Sequence, residues 1–227
     1  EENADRLSSL TAEDAPGGVR WAETSARNVS AHFAPVDVAS QLSSLMEPQP
    51  CAWILTSATL AVGDDFSHFK RRSGLTRATT VRFASPFDFA NQALMYLPKG
   101  LGEPGAPEHA RNVINAALPV LEASGGRAFI LFTSHRGLRE GAEELHRQWG
   151  ETPPFPVLIQ GSASRDHLLR AFREAGNAVL LGTGSFWEGI DVKGEALSVV
   201  IIDKLPFAAP DDPLLKARLA AIREQGG

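Results

Sequence analysis

The sequence predicts an α/β fold in which a parallel sheet carries helices on both faces. From about residue 108 onwards, helical and strand patterns alternate along the chain. The strand patterns are short, continuous apolar runs, which is the form of strands buried on both faces. Parallel strands need crossover connections, and the helical segments between these runs supply them. In such sheets ligands bind at the carboxyl ends of the strands.

The composition of the chain excludes several classes of protein and of binding site. The 227 residues are 43% hydrophobic, which is enough for one large or two small domains with their own cores. A net charge of -5 means that any nucleic-acid binding must be local. The single cysteine, Cys51, excludes a disulfide framework and any all-cysteine metal or iron-sulfur site within this chain.

Sequence features also indicate where the protein is located and whether the chain is part of a longer protein. No apolar run approaches the roughly 20 residues needed to cross a bilayer, and the first residues are acidic where a signal peptide is basic. We therefore expect a soluble protein, and because a single cysteine fits a reducing compartment, we expect it in the cytoplasm. The sequence begins without a methionine and stops just after a strong helical pattern, so we expect an excised fragment.

The first elements are predicted from periodicity. Apolar residues alternate in two stretches of residues 19–33 around a polar bend, which predicts a hairpin. Asp37 is placed to cap a helix. The apolar run at residues 52–55 predicts a strand buried on both faces, with Cys51 and Trp53 in the core beside it.

A connector follows. Residues 85–107 lose periodicity and collect proline and glycine, so we place a domain boundary there, between residues 1–98 and 99–227. Beyond it, Pro119 is expected to kink or shorten the first helix. Ser164 is expected to cap the third, which should bury Leu168, Leu169, Phe172 and Ala175. The predicted order is a helix at 108–123, a strand at 128–132, a helix at 138–149, a strand at 157–159, a helix at 164–175, strands at 178–181 and 198–202, and a helix from 213.

Small hydroxyl residues follow these predicted strands. The loops that start at Thr133, Gln160, Gly182 and Asp203 should lie along one edge of the sheet. Short donors and backbone amides at strand ends can hold phosphate oxygens without reading a base. The strand-Thr133-Ser134-helix junction, which leads into His135 and Arg136, is a candidate clamp for a nucleic-acid backbone, with Gln160 beside it. Ordinary capping and solvent exposure remain the alternative for His135 and Arg136.

Four segments in this order carry a family resemblance. They are Ser-Ala-Thr-Leu at 57–60, Phe-Thr-Ser at 132–134, Glu-Gly-Ile-Asp at 188–191 and Asp-Lys-Leu-Pro-Phe at 203–207. Together they resemble the DinG/XPD-like branch of superfamily 2 DNA helicases. The resemblance implies a RecA-like P-loop-NTPase helicase fold. Residues 1–98 would be the C-terminal part of the first motor domain, and residues 99–227 the second, truncated before the arginine-finger motif.

The resemblance also assigns roles to residues. Ser57 and Thr59 would couple the nucleotide state to domain movement. Glu188, Gly189 and Asp191 would face the nucleotide, while Thr183, Gly184 and Ser185 would touch the DNA backbone. A plain glycine-rich loop is the structural alternative for residues 182–191. No metal-binding residues are predicted, and the basic run at residues 70–72 is expected to be a solvated helix face.

The implied function is that of an ATP-dependent DNA helicase. The full protein would move 5′ to 3′ on single-stranded DNA, unwind duplex in repair or replication, and act on forked or displaced-loop DNA. It would use ATP and Mg²⁺, with a 4Fe-4S cluster possible in an upstream region. The chain has no phosphate loop and no Asp-Glu box, so alone it should be inactive.

Two other classes of protein stay open. One is a non-catalytic nucleic-acid-binding or regulatory module derived from a helicase, which would bind DNA without dependence on a nucleotide. The other is an unrelated nucleotide-binding α/β enzyme. That class should show a phosphate loop after its first strand, and none is visible.

Overall fold

The computed structural model describes residues 17–46, 48, 51–192, 194–207 and 211–224. These residues form two compact units, one within residues 1–93 and 208–227 and the other within residues 94–207. The predicted boundary between residues 98 and 99 stays a prediction. Within the described ranges no helix is long and apolar enough to cross a membrane.

The first unit contains the predicted hairpin. Strand β1 (Gly18–Thr24) pairs antiparallel with β2 (Val29–Pro35). The Ser25 side chain closes the turn by accepting a hydrogen bond from the backbone N–H of Asn28 at 3.0 Å. Helix α1 (Ala39–Met46) begins after Asp37, whose carboxylate accepts from the N–H of Ala39 at 2.9 Å. The hairpin and this cap are thus confirmed.

Three further helices belong to the first unit. They are α2 (Ser67–Ser73), α3 (Phe89–Gln92) and α7 (Pro213–Glu224). The Asp212 carboxylate caps α7 by accepting from the N–H of Leu215 at 2.6 Å, and α7 packs beside β1. The basic run of residues 70–72 lies in the last turn of α2, with Arg71 and Arg72 exposed.

The buried strand predicted at residues 52–55 was wrong. The segment pairs with no other strand in the described part of the chain. Trp53 and Ile54 are 52% and 86% exposed, and Cys51 is exposed as well. An apolar run predicts a preference for burial, but a strand also needs neighbouring strands to accept its backbone hydrogen bonds, and the run does not specify them.

The second unit is a parallel sheet with helices on both faces. Its strands are β3 (Ala128–Leu131), β4 (Val157–Ile159), β5 (Val179–Gly182) and β6 (Val199–Ile202), in the order β4-β5-β3-β6. Every pair is parallel. The helices are α4 (His109–Ser124), α5 (His135–Trp149) and α6 (Arg165–Ala175). The predicted fold class is confirmed.

Alternate side chains of β3 enter two cores. Ile130 packs with Leu121 of α4 and Leu145 of α5 on one face of the sheet. Phe129 packs with Phe172 of α6 on the other, their rings edge to face with centroids 4.7 Å apart. Covering both faces buries the central strands completely and leaves their carboxyl ends as the accessible rim.

Two predictions about the helices need correction, one of them in part. Pro119 does not shorten α4, which continues to Ser124 and ends at Gly125 in the left-handed conformation, φ 67°; a kink at Pro119 stays a prediction. The buried Ala117 and Leu121 on either side of Pro119 hold the helix against the sheet, and this packing outweighs the lost hydrogen bond. Ala175, expected on the buried face of α6, is exposed. The cap at Ser164 is confirmed, since its side chain accepts from the N–H of His167.

Glycine decides how closely α5 approaches the sheet. A Cβ atom at Gly141 would lie 2.3 Å from the ring of Phe132, which is fully buried. Only a residue without a side chain fits between the helix and this ring.

Candidate nucleic-acid and nucleotide interface

The loops after β4 and β5 are joined directly at the carboxyl edge of the sheet. Gln160 follows β4, and its side-chain oxygen accepts from the backbone N–H of Thr183 at 2.6 Å. The Thr183 hydroxyl donates to the same oxygen at 3.1 Å. Thr183 is only 6% exposed, so its hydroxyl belongs to this internal contact. A direct contact of the Thr183 side chain with DNA, as predicted, would require this hydrogen bond to rearrange.

The loops after β3 and β6 are joined in the same way. The Asp203 carboxylate accepts from the N–H of Thr133 at 3.0 Å and of Lys204 at 2.8 Å. Burial raises the pKa of Asp203, although these two N–H groups act to lower it. His109, at the start of α4, donates from Nε2 to the Asp203 carbonyl at 3.0 Å. The expectation that the four loops meet at one edge is thereby confirmed.

Helix α5 begins at this edge with a side-chain cap. Ser134 Oγ accepts from the N–H of Gly137 at 3.0 Å. His135 and Arg136 are exposed. The Arg136 guanidinium donates to the Glu140 carboxylate at 2.7 Å, one turn further along the helix. A DNA phosphate at Arg136 would therefore compete with an existing surface ion pair, which is a weak interaction in solvent.

The loop after β5 alternates between core and surface. Residues 184–186 form a single 3₁₀ turn, and Phe186 is 3% exposed. Trp187 and Ile190 pack against the core on the α6 face of the sheet. The presence of Trp187 in this loop is thus explained by packing. The exposed positions are those predicted to meet ligands, namely Gly184, Ser185, Glu188, Gly189 and Asp191.

Two arginines of α6 bind the backbone of this loop. Arg165 donates from Nε to the carbonyl of Ser185 at 2.9 Å, and from one terminal nitrogen to the carbonyls of Glu188 and Gly189 at 3.2 and 3.0 Å. Arg173 donates to the carbonyl of Asp191 at 2.9 Å. Gly189 has a positive φ of 68°, which a glycine adopts without strain.

Ser57 and Thr59 belong to the first unit. Both are exposed, and Ser57 Oγ lies 3.2 Å from Thr59 Oγ1 and accepts from the Thr59 N–H at 3.2 Å. The two predicted coupling residues therefore form one small polar turn. All other predicted site residues lie in the second unit, on the loops that follow β3, β4 and β5.

Sequence reasoning missed four residues that hold these loops in place. Asp203 was placed in a motif without a role for its carboxylate, although a lone acid directly after an apolar strand was a usable signal. No sequence pattern indicated the contacts of the other three residues, which are His109, Arg165 and Arg173. Their partners are backbone carbonyls of distant loops, which a sequence pattern does not specify.

The described residues contain no group of three or more histidine, cysteine, aspartate and glutamate side chains that could hold a metal ion. With one cysteine, the chain also lacks the four thiolates that a 4Fe-4S cluster requires. The described side chains on their own therefore supply neither a three-ligand site for a metal ion nor the ligands of such a cluster.

Comparison with known proteins matches residues 117–227 to the helicase C-terminal domain family. The chain is 45% identical over 222 residues to the ATP-dependent DNA helicase YoaA of Escherichia coli K12, covering 98% of the chain and 34% of that protein. It is 42% identical over 222 residues, with the same coverage, to YoaA of Haemophilus influenzae Rd. It is 35% identical over 239 residues to the ATP-dependent helicase DinG of Mycobacterium tuberculosis H37Ra, covering 100% of the chain and 35% of that protein.

The chain spans about a third of the length of these relatives. The four-stranded parallel sheet flanked by helices is the RecA-like fold of a helicase C-terminal domain.

Proposed function

We propose that this chain, which belongs to the DinG-like helicases, supplies the second RecA-like motor domain and the end of the first to an ATP-dependent DNA helicase. Residues 99–227 would form the second domain and residues 1–98 the C-terminal part of the first. ATP hydrolysis would need residues outside this chain, so the chain alone is inactive.

One observation carries the proposal. Four loops of the parallel sheet meet at its carboxyl edge, where Gln160 is bonded to Thr183 and Asp203 to Thr133. These bonds use the N–H groups of Thr133 and Thr183, and they fix the loops that carry the exposed Ser134, His135, Arg136, Gly184 and Ser185. Exposed amides and side chains on such loops can hold successive phosphates of a strand without reading its bases.

The two ends of the loop after β5 would then serve different ligands. Thr183 is bonded to Gln160, and its strand β5 pairs with β3, which leads into the start of α5. The residues that would bind DNA are Thr183, Gly184 and Ser185 together with Gln160, Thr133, Ser134, His135 and Arg136. Glu188, Gly189 and Asp191 would face the nucleotide. A loop that contacts both ligands can transmit the nucleotide state to the grip on DNA. Ser57 and Thr59 would transmit it to the first motor domain.

In the full protein, cycles of ATP binding and hydrolysis would drive 5′ to 3′ movement on single-stranded DNA. Forked and displaced-loop DNA are the proposed substrates, DNA repair or replication the proposed role, and the cytoplasm the proposed location. Mg²⁺ would enter with ATP. A 4Fe-4S cluster, where the full protein has one, would use cysteines outside this chain.

The test uses the full-length protein. We expect ATPase activity that single-stranded DNA stimulates, and unwinding of a duplex with a 5′ tail but not of one with a 3′ tail. Binding to single-stranded DNA should weaken steeply with salt, because phosphate contacts release counterions. DNA binding that neither depends on nucleotide nor accompanies ATPase activity would instead identify a non-catalytic module.

A charge substitution tests the location of the DNA interface. Ser185→Glu places a carboxylate on the exposed loop and should weaken single-stranded DNA binding by about tenfold at low salt. Ser198→Glu is the matched control. Ser198 is also exposed, but it precedes β6 and therefore lies at the opposite, amino edge of the sheet. Equal effects of the two substitutions would contradict the proposed interface.

A further inference from the structure

Arg165 is bonded to three backbone carbonyls of one loop. Its guanidinium donates hydrogen bonds to the carbonyl oxygens of Ser185, Glu188 and Gly189 at 2.9–3.2 Å. All three residues are exposed, while their carbonyl oxygens converge on the cation. The loop is therefore wound around the guanidinium, which makes hydrogen bonds of the stronger, charge-assisted kind.

The same loop is fixed at other points along its length. Phe186, Trp187 and Ile190 anchor it in the core. Arg173, two turns after Arg165 on α6, holds the carbonyl of Asp191 at 2.9 Å. Between these anchors, the turn at Glu188 and Gly189 projects to solvent and is bonded to Arg165. Of the anchors, Arg165 is thus the one that sets the backbone of the turn itself.

From this geometry we propose that Arg165 is a positioning residue for the nucleotide, acting through the backbone of residues 185–189. The inference rests on the proposed function, which places Glu188, Gly189 and Asp191 against ATP. Arg165 itself touches no ligand in this assignment. It keeps the turn in the arrangement that binds nucleotide before the nucleotide arrives. The entropy cost of ordering the loop is then not subtracted from the free energy of nucleotide binding.

The chemistry of the side chain explains why arginine serves here. Its planar fork presents donors in several fixed directions, so that Nε and a terminal nitrogen reach carbonyls at both ends of a five-residue segment. A lysine ammonium keeps the charge but donates from a single point. Arg165→Lys should therefore restore only part of the function that Arg165→Gln loses.

The experiment compares Arg165→Gln, Arg165→Lys and Arg170→Gln in the full-length protein. Arg170 is the matched control, because it is an exposed arginine of α6 whose side chain makes no hydrogen bond within the described part of the chain. The measurements are KM and kcat of the DNA-stimulated ATPase, the Kd of a fluorescent ADP analogue, the Tm, and hydrogen exchange of residues 184–191.

For Arg165→Gln we expect KM for ATP and Kd for the ADP analogue to rise about tenfold, the order of effect of losing hydrogen bonds from a charged donor. Hydrogen exchange at residues 184–191 should accelerate, while residues 179–182 in β5 keep their protection. Arg165→Lys should raise KM by about threefold. The Tm of all variants should stay within about 2 °C of the wild type, because Arg165 is partly exposed and outside both cores.

An active Arg165→Gln protein with unchanged KM and Kd overturns the positioning role. So does a fall in Tm without any change in nucleotide affinity, which would mark a structural arginine. A wild-type protein without DNA-stimulated ATPase overturns the proposed function and the nucleotide role with it. That result is distinguished from failure of the loop contact by the exchange of residues 184–191.

Discussion

Asp203 and Thr133 lie 70 positions apart in sequence, yet the carboxylate of one accepts a hydrogen bond from the backbone N–H of the other at 3.0 Å. The two residues follow neighbouring parallel strands, β6 and β3. A buried acid at this point satisfies N–H groups that the end of the sheet would leave without partners. The rim where ligands are proposed to bind is therefore built on a structural carboxylate.

Replacing Asp203 by asparagine should preserve this junction. The amide oxygen of asparagine can accept from the N–H groups of Thr133 and Lys204, whereas Asp203→Ala leaves both donors without their acceptor. We expect Asp203→Ala to lose about 1–3 kcal/mol of unfolding free energy and Asp203→Asn to stay close to the wild type at pH 7. Chemical denaturation measures both. Equal losses would show that the negative charge itself is required.

The buried carboxyl of Asp203 also predicts that the stability of the protein depends on pH. Burial raises the pKa of Asp203 above its ordinary value of 3.8. The folded state then holds the proton more tightly than the unfolded state, so the contribution of Asp203 to stability is largest below pH 3.8 and falls as pH rises through the folded pKa. Asp203→Asn should remove this fall, and denaturation curves at several pH values would show it.

Gln160→Glu separates the structural and electrostatic roles of Gln160. A carboxylate can accept from the Thr183 N–H and hydroxyl as the amide oxygen does, so the fold and Tm should change little. The new negative charge at the proposed DNA edge should weaken single-stranded DNA binding by about three- to tenfold at low salt, and by less at high salt because of screening. Fluorescence anisotropy across salt concentrations tests this. Unchanged affinity would place the DNA elsewhere.

Glu144 should stabilise the second unit most strongly above pH 4.5. It is 5% exposed and accepts hydrogen bonds from Arg147 and Gln148. The Arg147 hydrogen bonds lower its pKa from 4.5 to about 2, although burial acts to raise it. The stabilisation is present above the ordinary pKa and is lost as pH falls towards about 2.

Glu144→Gln should therefore lower the Tm by about 2–5 °C at pH 7, and the difference from wild type should shrink below pH 4.5. Glu143→Gln is the control, because Glu143 is the exposed neighbour on the same helix. A difference that grows at acidic pH would reverse the assigned sign.

Gly141→Ala should destabilise the sheet-helix interface. Its new Cβ would lie 2.3 Å from the buried ring of Phe132, so helix α5 or the ring must shift. Overpacking of this kind costs about 1–3 kcal/mol. Gly105→Ala, where an added Cβ meets nothing within 4 Å, serves as the comparison in thermal unfolding. If both variants were equally stable, the approach of α5 to the sheet would be looser than described.

Most of the second unit follows from sequence periodicity, because each of its strands is an apolar run with a partner on at least one side. The same reasoning failed at residues 52–55, where the apolar run is present but no described strand pairs with it. A local sequence pattern predicts that a segment prefers burial. It does not predict which strands would pair with that segment.

The candidate site was likewise predictable from the sequence only in part. Thr133, Gln160 and Thr183 could be placed at one edge because parallel strands share their polarity. The contacts of Arg165 and Arg173 could not be predicted, since a backbone carbonyl has the same chemistry in every residue. The roles assigned to the individual site residues stay predictions.

The loop after β5 keeps its apolar side chains beneath it and its polar ones above it. The apolar residues of this loop stabilise the fold, and its exposed residues are the ones proposed to bind ligands. Substitutions at Ser185 or Glu188 can retune what the surface accepts, while Phe186 and Trp187 continue to seal the hydrophobic layer. A protein engineer could vary the side chains of the first pair without disturbing the core, but would have to keep the second pair unchanged.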